Sequence, residues 1–224
     1  LALYEVTRTQ SVSTARIVEA HSDAVQILAE ADREPSRDAL YGVWASAPKG
    51  PRCTVSGESD TLNGILPFCS GLGVVDRALV VADSPAGANV LVDVAVSGAL
   101  TLSMATDGWG TVALADTATG SVEFRHHPIA PGTVVAPPGW YLERPGFWHG
   151  ACGPAACWAG AAAGLVDLAV ELAPKDELRR AGVGAMVATE WANRTLLTGA
   201  GAQIDDSPEP GTEGQKRALS LRHH

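Results

Sequence analysis

The amino-acid sequence predicts an α+β fold in which helices at both ends flank a small antiparallel β-barrel or sandwich. Two patterns carry this prediction. Apolar residues recur at three- and four-residue spacing near the N terminus and again after residue 148, as they do along one face of an amphipathic helix. Between Leu40 and Val134 they come instead in short runs separated by turn residues, which is typical of successive β-strands. The predicted parts are a partial N-terminal helical domain at 1–38, a middle β domain at 39–136 and a partial C-terminal helical domain at 137–224.

The first helix is predicted over residues 11–30, with one break, and it ends before Pro35. Seven apolar runs after it are predicted to be strands: 41–45, 53–55, 65–68, 78–82, 90–96, 112–115 and 122–124. Gly, Pro, Asn, Asp and Ser separate these runs, and they predict turns at 48–51, 63–64, 84–87, 106–108 and 119–120.

The segment at 148–172 combines many Ala and Gly residues with larger apolar ones. Small side chains let a helix approach its neighbour closely, so we expect this helix at the centre of a bundle or at a subunit interface. We therefore predict a homo- or hetero-oligomer. Further helices are predicted at about 177–202 and from Glu213 onward.

Composition narrows the classes of partner. The chain has 224 residues with 16 basic and 25 acidic side chains, a formal net charge of −9, and this field repels nucleic acid. No uninterrupted apolar run approaches the roughly 20 residues of a membrane span, so we expect no membrane partner. The four cysteines match neither redox nor zinc spacing; we expect them reduced, as small buried residues, in a cytoplasmic protein. Both ends fall within helical patterns, which predicts missing sequence on each side.

Several short motifs are set aside. Gly71-Leu72-Gly73 begins like a dinucleotide-binding loop, but a strand-like segment follows it, so we interpret it as a turn. His126 and His127 are neighbours on a strand and point to opposite faces, so we predict no metal site there. A Gly-x-Ser-x-Gly elbow is absent, and none of the cysteines lies in a recognisable nucleophile setting.

Residues 53–71 and 76–82 together resemble the middle β domain of acyl-CoA dehydrogenases. In that family an aromatic-x-Thr/Ser strand lies against a flavin ring through backbone amides and a hydroxyl, and Phe68-Cys69-Ser70 matches it. Residues 43–48, which include Trp44 and Ser46, stand where the family has a strand ending in Thr-Glu-Pro; Ala47 replaces the usual Glu. Residues 107–124 resemble the strands that close the family's β domain, and residues 145–150 lead into the helix that starts its C-terminal domain.

The resemblance implies α,β-dehydrogenation of an acyl-CoA or other acyl thioester in fatty acid metabolism, with FAD as acceptor and an electron-transfer protein as partner. It assigns cofactor binding to Trp44, Ser46, Phe68, Cys69 and Ser70. The catalytic base stays unassigned, because Glu143 is the nearest acid to the family's position and lies in a loop ahead of the helix. A catalytically silent paralogue that pairs with an active flavoprotein is the alternative; a ligand-binding module without flavin is a third class.

Overall fold

The computed structural model describes residues 1–46, 53–56, 60–96, 102–105, 109–172, 176–206 and 211–223. The chain forms two compact units. The helical unit combines Leu1–Glu19 with Pro145–His224, and the sheet unit is Ala20–Arg144. Helix α2 (Val12–Glu30) supplies residues to both. The turns predicted at 48–51 and 106–108 lie outside the described residues.

Seven strands form one sheet in the sheet unit. They are β1 (Tyr41–Trp44), β2 (Thr54–Ser56), β3 (Thr61–Cys69), β4 (Arg77–Asp83), β5 (Asn89–Ala95), β6 (Leu102–Ala105) and β7 (Gly120–Pro128). The order is β1-β4-β2-β3-β7-β6, with β5 on the other edge of β4. Strands β1 and β2 run parallel to β4, whereas the other pairs are antiparallel.

The sheet is therefore mixed, and among the described strands it stays open. The α+β prediction is confirmed, but the closed antiparallel barrel is wrong. Alternating burial reports only that a strand has a buried face; it does not say which strand lies beside it or in which direction.

The two faces of β4 and β5 show why these residues form strands. Ala78, Val80 and Ala82 face one core, which also holds Trp44, Leu62, Leu66, Cys69 and Phe124. Leu79 points the other way, toward Ala24, Ile27 and Leu28 of α2. Because both faces are covered, β4 reads as a nearly continuous apolar run.

Four local predictions differ from the structure. Helix α2 runs from Val12 to Glu30 without the predicted break. Residues 112–115 are not a strand; they lead into a 3₁₀ turn, Ala115–Thr117. Strand β6 lacks a predicted counterpart. Asn63 and Gly64 do not form a turn but lie inside β3, where the pairing with β7 shifts register between Leu62 and Gly64. Gly64 has φ +110, so the same conformational freedom that suggested a turn serves a β-bulge.

A buried arginine holds the end of the sheet unit to α2. Arg144 follows the short helix α3 (Trp140–Glu143), and its side chain is buried. Its guanidinium lies 3.2 Å from a carboxylate oxygen of Glu30 and 3.2 Å from one of Asp23, and it stands over the Tyr141 ring. Two carboxylates compensate the desolvation of this cation.

The helical unit consists of α1 (Ala2–Thr9), the first part of α2, α4 (Cys152–Glu171), α5 (Glu177–Asp206) and α6 (Gly211–His223). The small residues of α4 serve close packing, as predicted. A Cβ at Gly160 would overlap the Tyr4 carbonyl oxygen, and one at Gly164 would lie 2.8 Å from the Arg8 carbonyl oxygen. The backbones of α1 and α4 are thus in direct contact.

Length and composition alone mark one described segment, Pro145–Glu171, as able to cross a membrane, with a mean hydropathy of 1.3. The finding is weak evidence for a membrane, because core helices of globular proteins have the same composition. Within this segment Asp167 pairs with Arg8 of α1 at 2.6 Å, and Gly160 and Gly164 lie against the α1 backbone, so α4 packs against α1.

The contact between α1 and α4 yields the first prediction. Replacing Gly160 by Ala should lower the free energy of unfolding by about 1–3 kcal/mol, because the added methyl group overpacks a rigid backbone contact. The matched control is Gly182→Ala in α5, where a Cβ meets nothing within 4 Å. There the better helix propensity of Ala should raise the free energy of unfolding by about 0.5–1 kcal/mol. Urea denaturation measures both; a gain at Gly160 would contradict the packing.

Candidate functional site

The end of strand β3 turns one large aromatic side chain outward. The pairing of β3 with β7 shifts register between Leu66 and Cys69, and Phe68 lies within this irregularity. Its φ is +61, a left-handed conformation that bulky residues rarely adopt. Its side chain is 62% exposed. A large apolar ring held outward on an unfavourable backbone makes this strand end a candidate ligand surface.

The other predicted site residues support Phe68 from behind. Trp44 is buried, and its indole Nε1 donates a hydrogen bond to the Ser70 carbonyl oxygen at 3.0 Å. Ser46 Oγ donates to the Pro67 carbonyl oxygen at 2.6 Å. Cys69 is fully buried, and its thiol donates to the Leu66 carbonyl oxygen at 3.2 Å. The structure therefore brings all five together at one strand end, with Phe68 facing out, Trp44 and Cys69 in the core, and the two serines half-buried.

Gly42 makes the indole contact possible. A Cβ at this position would lie 3.0 Å from Trp44 Nε1, closer than side chains ordinarily approach. Any larger residue would press on the indole that holds the Ser70 carbonyl. The sequence analysis did not select Gly42, because an isolated glycine beside an aromatic residue carries no chemical motif.

Two threonine hydroxyls that the sequence analysis did not select join Ser70 at this site. Ser70 Oγ lies 2.7 Å from Thr119 Oγ1, which lies 2.8 Å from Thr117 Oγ1. Backbone hydrogen bonds hold this loop against the end of β3: Gly71 N–H donates to the Thr117 carbonyl oxygen at 2.7 Å, and Leu72 N–H donates to that of Ala118 at 3.1 Å. The only sequence signal was the alternation of threonines before β7.

The side chains gathered at this strand end are electrically neutral. Burial raises the pKa of the Cys69 thiol from 9.0 to about 12, so it stays protonated at physiological pH. Neutral hydroxyls, a thiol and two aromatic rings offer shape and hydrogen bonds. They offer neither an acid–base pair nor an activated nucleophile.

Other chemical groups lie elsewhere in the described chain. No cluster of three or more metal-ligating side chains occurs among the described residues. Burial lowers the pKa of His127, which packs edge-on against Phe124. A cavity of about 420 Å³ is lined by His21, Val25 and residues 35–40, and includes none of the five predicted site residues.

No family model matches the chain, and no curated protein matches it. Solved structures do resemble it. FMN-bound TdsC from Paenibacillus sp. A11-2 superposes with a TM-score of 0.81 over 99% of this chain and 67% of that one, at 16% identity. Methanesulfinate monooxygenase MsuC from Pseudomonas fluorescens gives 0.81 over 99% and 66%, at 18% identity. KijD3 in complex with FMN and a dTDP-linked amino sugar gives 0.80 over 99% and 62%, at 15% identity.

These likenesses show the fold, and at such low identity they show nothing finer. The helix, sheet and helix arrangement is consistent with the acyl-CoA dehydrogenase-like fold that the sequence resemblance implied. The chain spans about two thirds of the length of each of these solved proteins.

The left-handed backbone at Phe68 gives the second prediction. The free energy of unfolding of Phe68→Gly, measured by urea denaturation, should exceed that of Phe68→Ala by about 1 kcal/mol. The reason is that glycine alone adopts this conformation without steric strain. Both variants lose the same ring, so the comparison isolates the backbone. Equal stabilities would show that φ at this position is not left-handed in solution.

The buried thiol gives the third prediction. Its folded pKa is raised, so the stabilisation is fully present below about pH 9 and is lost as the pH rises toward 12, because the unfolded thiol ionises first. Between about pH 9 and about pH 11, the free energy of unfolding of the wild type should fall with pH more steeply than that of Cys69→Ala. The difference between the two slopes should be about 1.4 kcal/mol per pH unit.

Urea denaturation across this pH range measures the slope. Cys53, whose pKa burial also raises to about 12, provides the matched variant Cys53→Ala with the same expected change. Parallel curves for the wild type and Cys69→Ala would contradict a protonated buried thiol.

Proposed function

We propose that this chain is the flavin-binding part of a flavin-dependent oxidoreductase, with the isoalloxazine ring against Phe68 and Ser70. One observation carries the proposal. Phe68, an exposed aromatic ring on a left-handed backbone, lies two residues before the half-buried hydroxyl of Ser70, in a fold whose solved examples include FMN complexes. The sequence resemblance also places Phe68 and Ser70 among its five cofactor-binding residues.

The residues present fit such a ring. A tricyclic aromatic ring needs an apolar surface under its plane and fixed hydrogen-bonding groups at its edge. Phe68 provides the first and Ser70 the second. Trp44, Ser46 and Cys69 hold the strand end from inside. When bound, a flavin supplies two-electron oxidation and reduction; the chain's own residues supply binding, orientation and a neutral surrounding.

The identity of the flavin follows from groups outside this ring. The sequence resemblance implies FAD, whereas TdsC and KijD3, two of the solved proteins with this fold, are FMN complexes. Both carry the same isoalloxazine ring, so the proposal concerns that shared ring. FAD remains the expectation from the sequence.

Two reaction classes share this ring. The sequence resemblance favours dehydrogenation of an acyl thioester, with an electron-transfer protein as acceptor. The solved relatives in fold include monooxygenases. Dehydrogenation needs a carboxylate to remove a proton. Of the described acids, Glu143 is exposed, Asp167 pairs with Arg8 and Glu190 accepts a hydrogen bond from Tyr4. These three acids are engaged or solvated, so we propose the oxidoreductase class and assign none of them as the base.

The fourth prediction tests flavin binding. The purified protein should be yellow or should bind added FMN or FAD, and Phe68→Ala should weaken the affinity about tenfold through loss of ring stacking. Trp191→Ala in α5 is the matched control, because Trp191 is also 62% exposed and should leave the affinity unchanged. Fluorescence quenching of the flavin measures both. Equal affinities of wild type and Phe68→Ala would overturn the assignment of the site.

The reaction class is decided on the flavin-loaded protein. Bleaching by an acyl-CoA without oxygen supports the dehydrogenase, and substrate-dependent oxygen consumption with reduced flavin supports the oxygenase. A colourless protein that gains thermal stability only with a homologous flavoprotein would support the silent partner instead. We further propose a cytoplasmic, oligomeric protein, and the apolar residues exposed on α4, Trp158 and Leu165, support oligomer formation.

A further inference from the structure

Three hydroxyl groups form a continuous hydrogen-bonded chain that ends on a backbone carbonyl. Thr117 Oγ1 lies 2.6 Å from the Leu114 carbonyl oxygen. Thr119 Oγ1 lies 2.8 Å from Thr117 Oγ1, and Ser70 Oγ lies 2.7 Å from Thr119 Oγ1. Thr117 and Thr119 are 3% and 5% exposed, so the inner two hydroxyls are closed to solvent. Ser70 alone is half-buried and stands at the ligand end of the chain.

The direction of every hydrogen bond in this chain follows from counting protons. A carbonyl oxygen has no proton, so Thr117 donates its only hydroxyl proton to Leu114. Thr119 must then donate to Thr117, since a contact of 2.8 Å between two oxygens needs a proton between them. By the same count Ser70 donates to Thr119. The Ser70 oxygen therefore offers only lone pairs outward.

The backbone that carries the three hydroxyl groups is also held in place by hydrogen bonds. Leu114 and Ala118 have φ of +57 and +45, so the loop carries two non-glycine residues in left-handed conformations. The Leu114 carbonyl accepts a second hydrogen bond, from Thr117 N–H at 3.0 Å. On the opposite side the Trp44 indole holds the Ser70 carbonyl. Rotation of the Ser70 hydroxyl away from Thr119 would leave a buried threonine oxygen with one partner fewer.

We propose that Thr119 and Thr117 are positioning residues that fix Ser70 as a hydrogen-bond acceptor, so that the site prefers a ring nitrogen bearing hydrogen. This inference rests on the proposed flavin function. Two-electron, two-proton reduction of an isoalloxazine adds N–H donors to the ring, whereas the oxidised ring presents acceptors at the same nitrogens. The hydroxyl chain therefore favours binding of the reduced flavin over the oxidised one.

The fifth prediction measures this preference. Dissociation constants of oxidised FMN and of FMN reduced under anaerobic conditions are determined for the wild type and for Thr119→Val. The wild type should bind reduced FMN more tightly. In Thr119→Val the Ser70 proton is released and can point outward, so the preference for reduced FMN should fall about tenfold. For a two-electron couple this equals a decrease of about 30 mV in the reduction potential of the bound flavin, a second readout.

Two controls isolate the hydroxyl. Thr119→Ser restores the donor to Thr117 and should restore the preference. Thr133→Val removes another threonine hydroxyl that donates to a carbonyl, that of Ala130 at 2.8 Å, and should leave the preference unchanged. If Thr119→Val does not fold, Ser70→Ala takes its place, because loss of the acceptor itself should produce the same tenfold fall.

The outcomes separate this inference from the proposed function. An unchanged preference in Thr119→Val and Ser70→Ala, in a protein that still binds both forms of FMN, overturns the hydroxyl inference and leaves flavin binding intact. A wild type that prefers oxidised FMN also overturns it. A wild type that binds neither form overturns the proposed function and this inference with it.

Discussion

The hydrogen bond from the buried Trp44 indole to the Ser70 carbonyl is the constraint on which the candidate site depends. An indole N–H in the core needs an acceptor, and the carbonyl of Ser70, the residue directly after β3, supplies it. Gly42 removes the side chain that would block this approach. Once the Ser70 carbonyl is turned inward, the irregular pairing between Leu66 and Cys69 presents Phe68 outward. The same backbone irregularity thus allows the contact of Trp44 with the Ser70 carbonyl and exposes the Phe68 ring.

The neutrality of this strand end has a physical consequence. In a surrounding of low dielectric, the direction of a single O–H group changes the local potential more than it does in water. The site holds Ser70, Thr119 and Thr117 in series on one carbonyl, so a proton count decides which side of Ser70 a ligand meets. The charged groups of the sheet unit serve a different purpose. Arg144 with Glu30 and Asp23, and Arg77 with Asp93, join elements of the scaffold to one another.

Particular elements show how far sequence patterns reached. The nearly continuous apolar runs at 78–82 and 90–96 identified β4 and β5, because each strand meets a core on both faces. The glycines at 71 and 73 were interpreted as a turn before a strand, and both have positive φ ahead of β4, which confirms it. The strand predicted at 112–115 is wrong, because its apolar residues are not buried in a sheet. They are apolar but exposed, and they belong to the loop that carries Thr117 rather than to a strand. Hydrophobicity ordinarily predicts burial. This loop is instead held in place by backbone hydrogen bonds from Gly71 and Leu72, so its apolar residues need not be buried.

The sequence by itself determined the order of helical and strand regions, the apolar runs that form β4 and β5, and the aromatic-x-Ser triplet on which the functional proposal rests. These are local properties, since helix and strand periodicity and short motifs depend on residues close together in the chain. Tertiary structure decided the parallel pairing of β1 and β2 with β4, the left-handed backbone of Phe68, and the meeting of Ser70 with Thr119, which lies 49 positions away. Pairing partners and the direction of a hydroxyl proton depend on atoms brought together only when the sheet has formed, and a one-dimensional pattern contains no record of them.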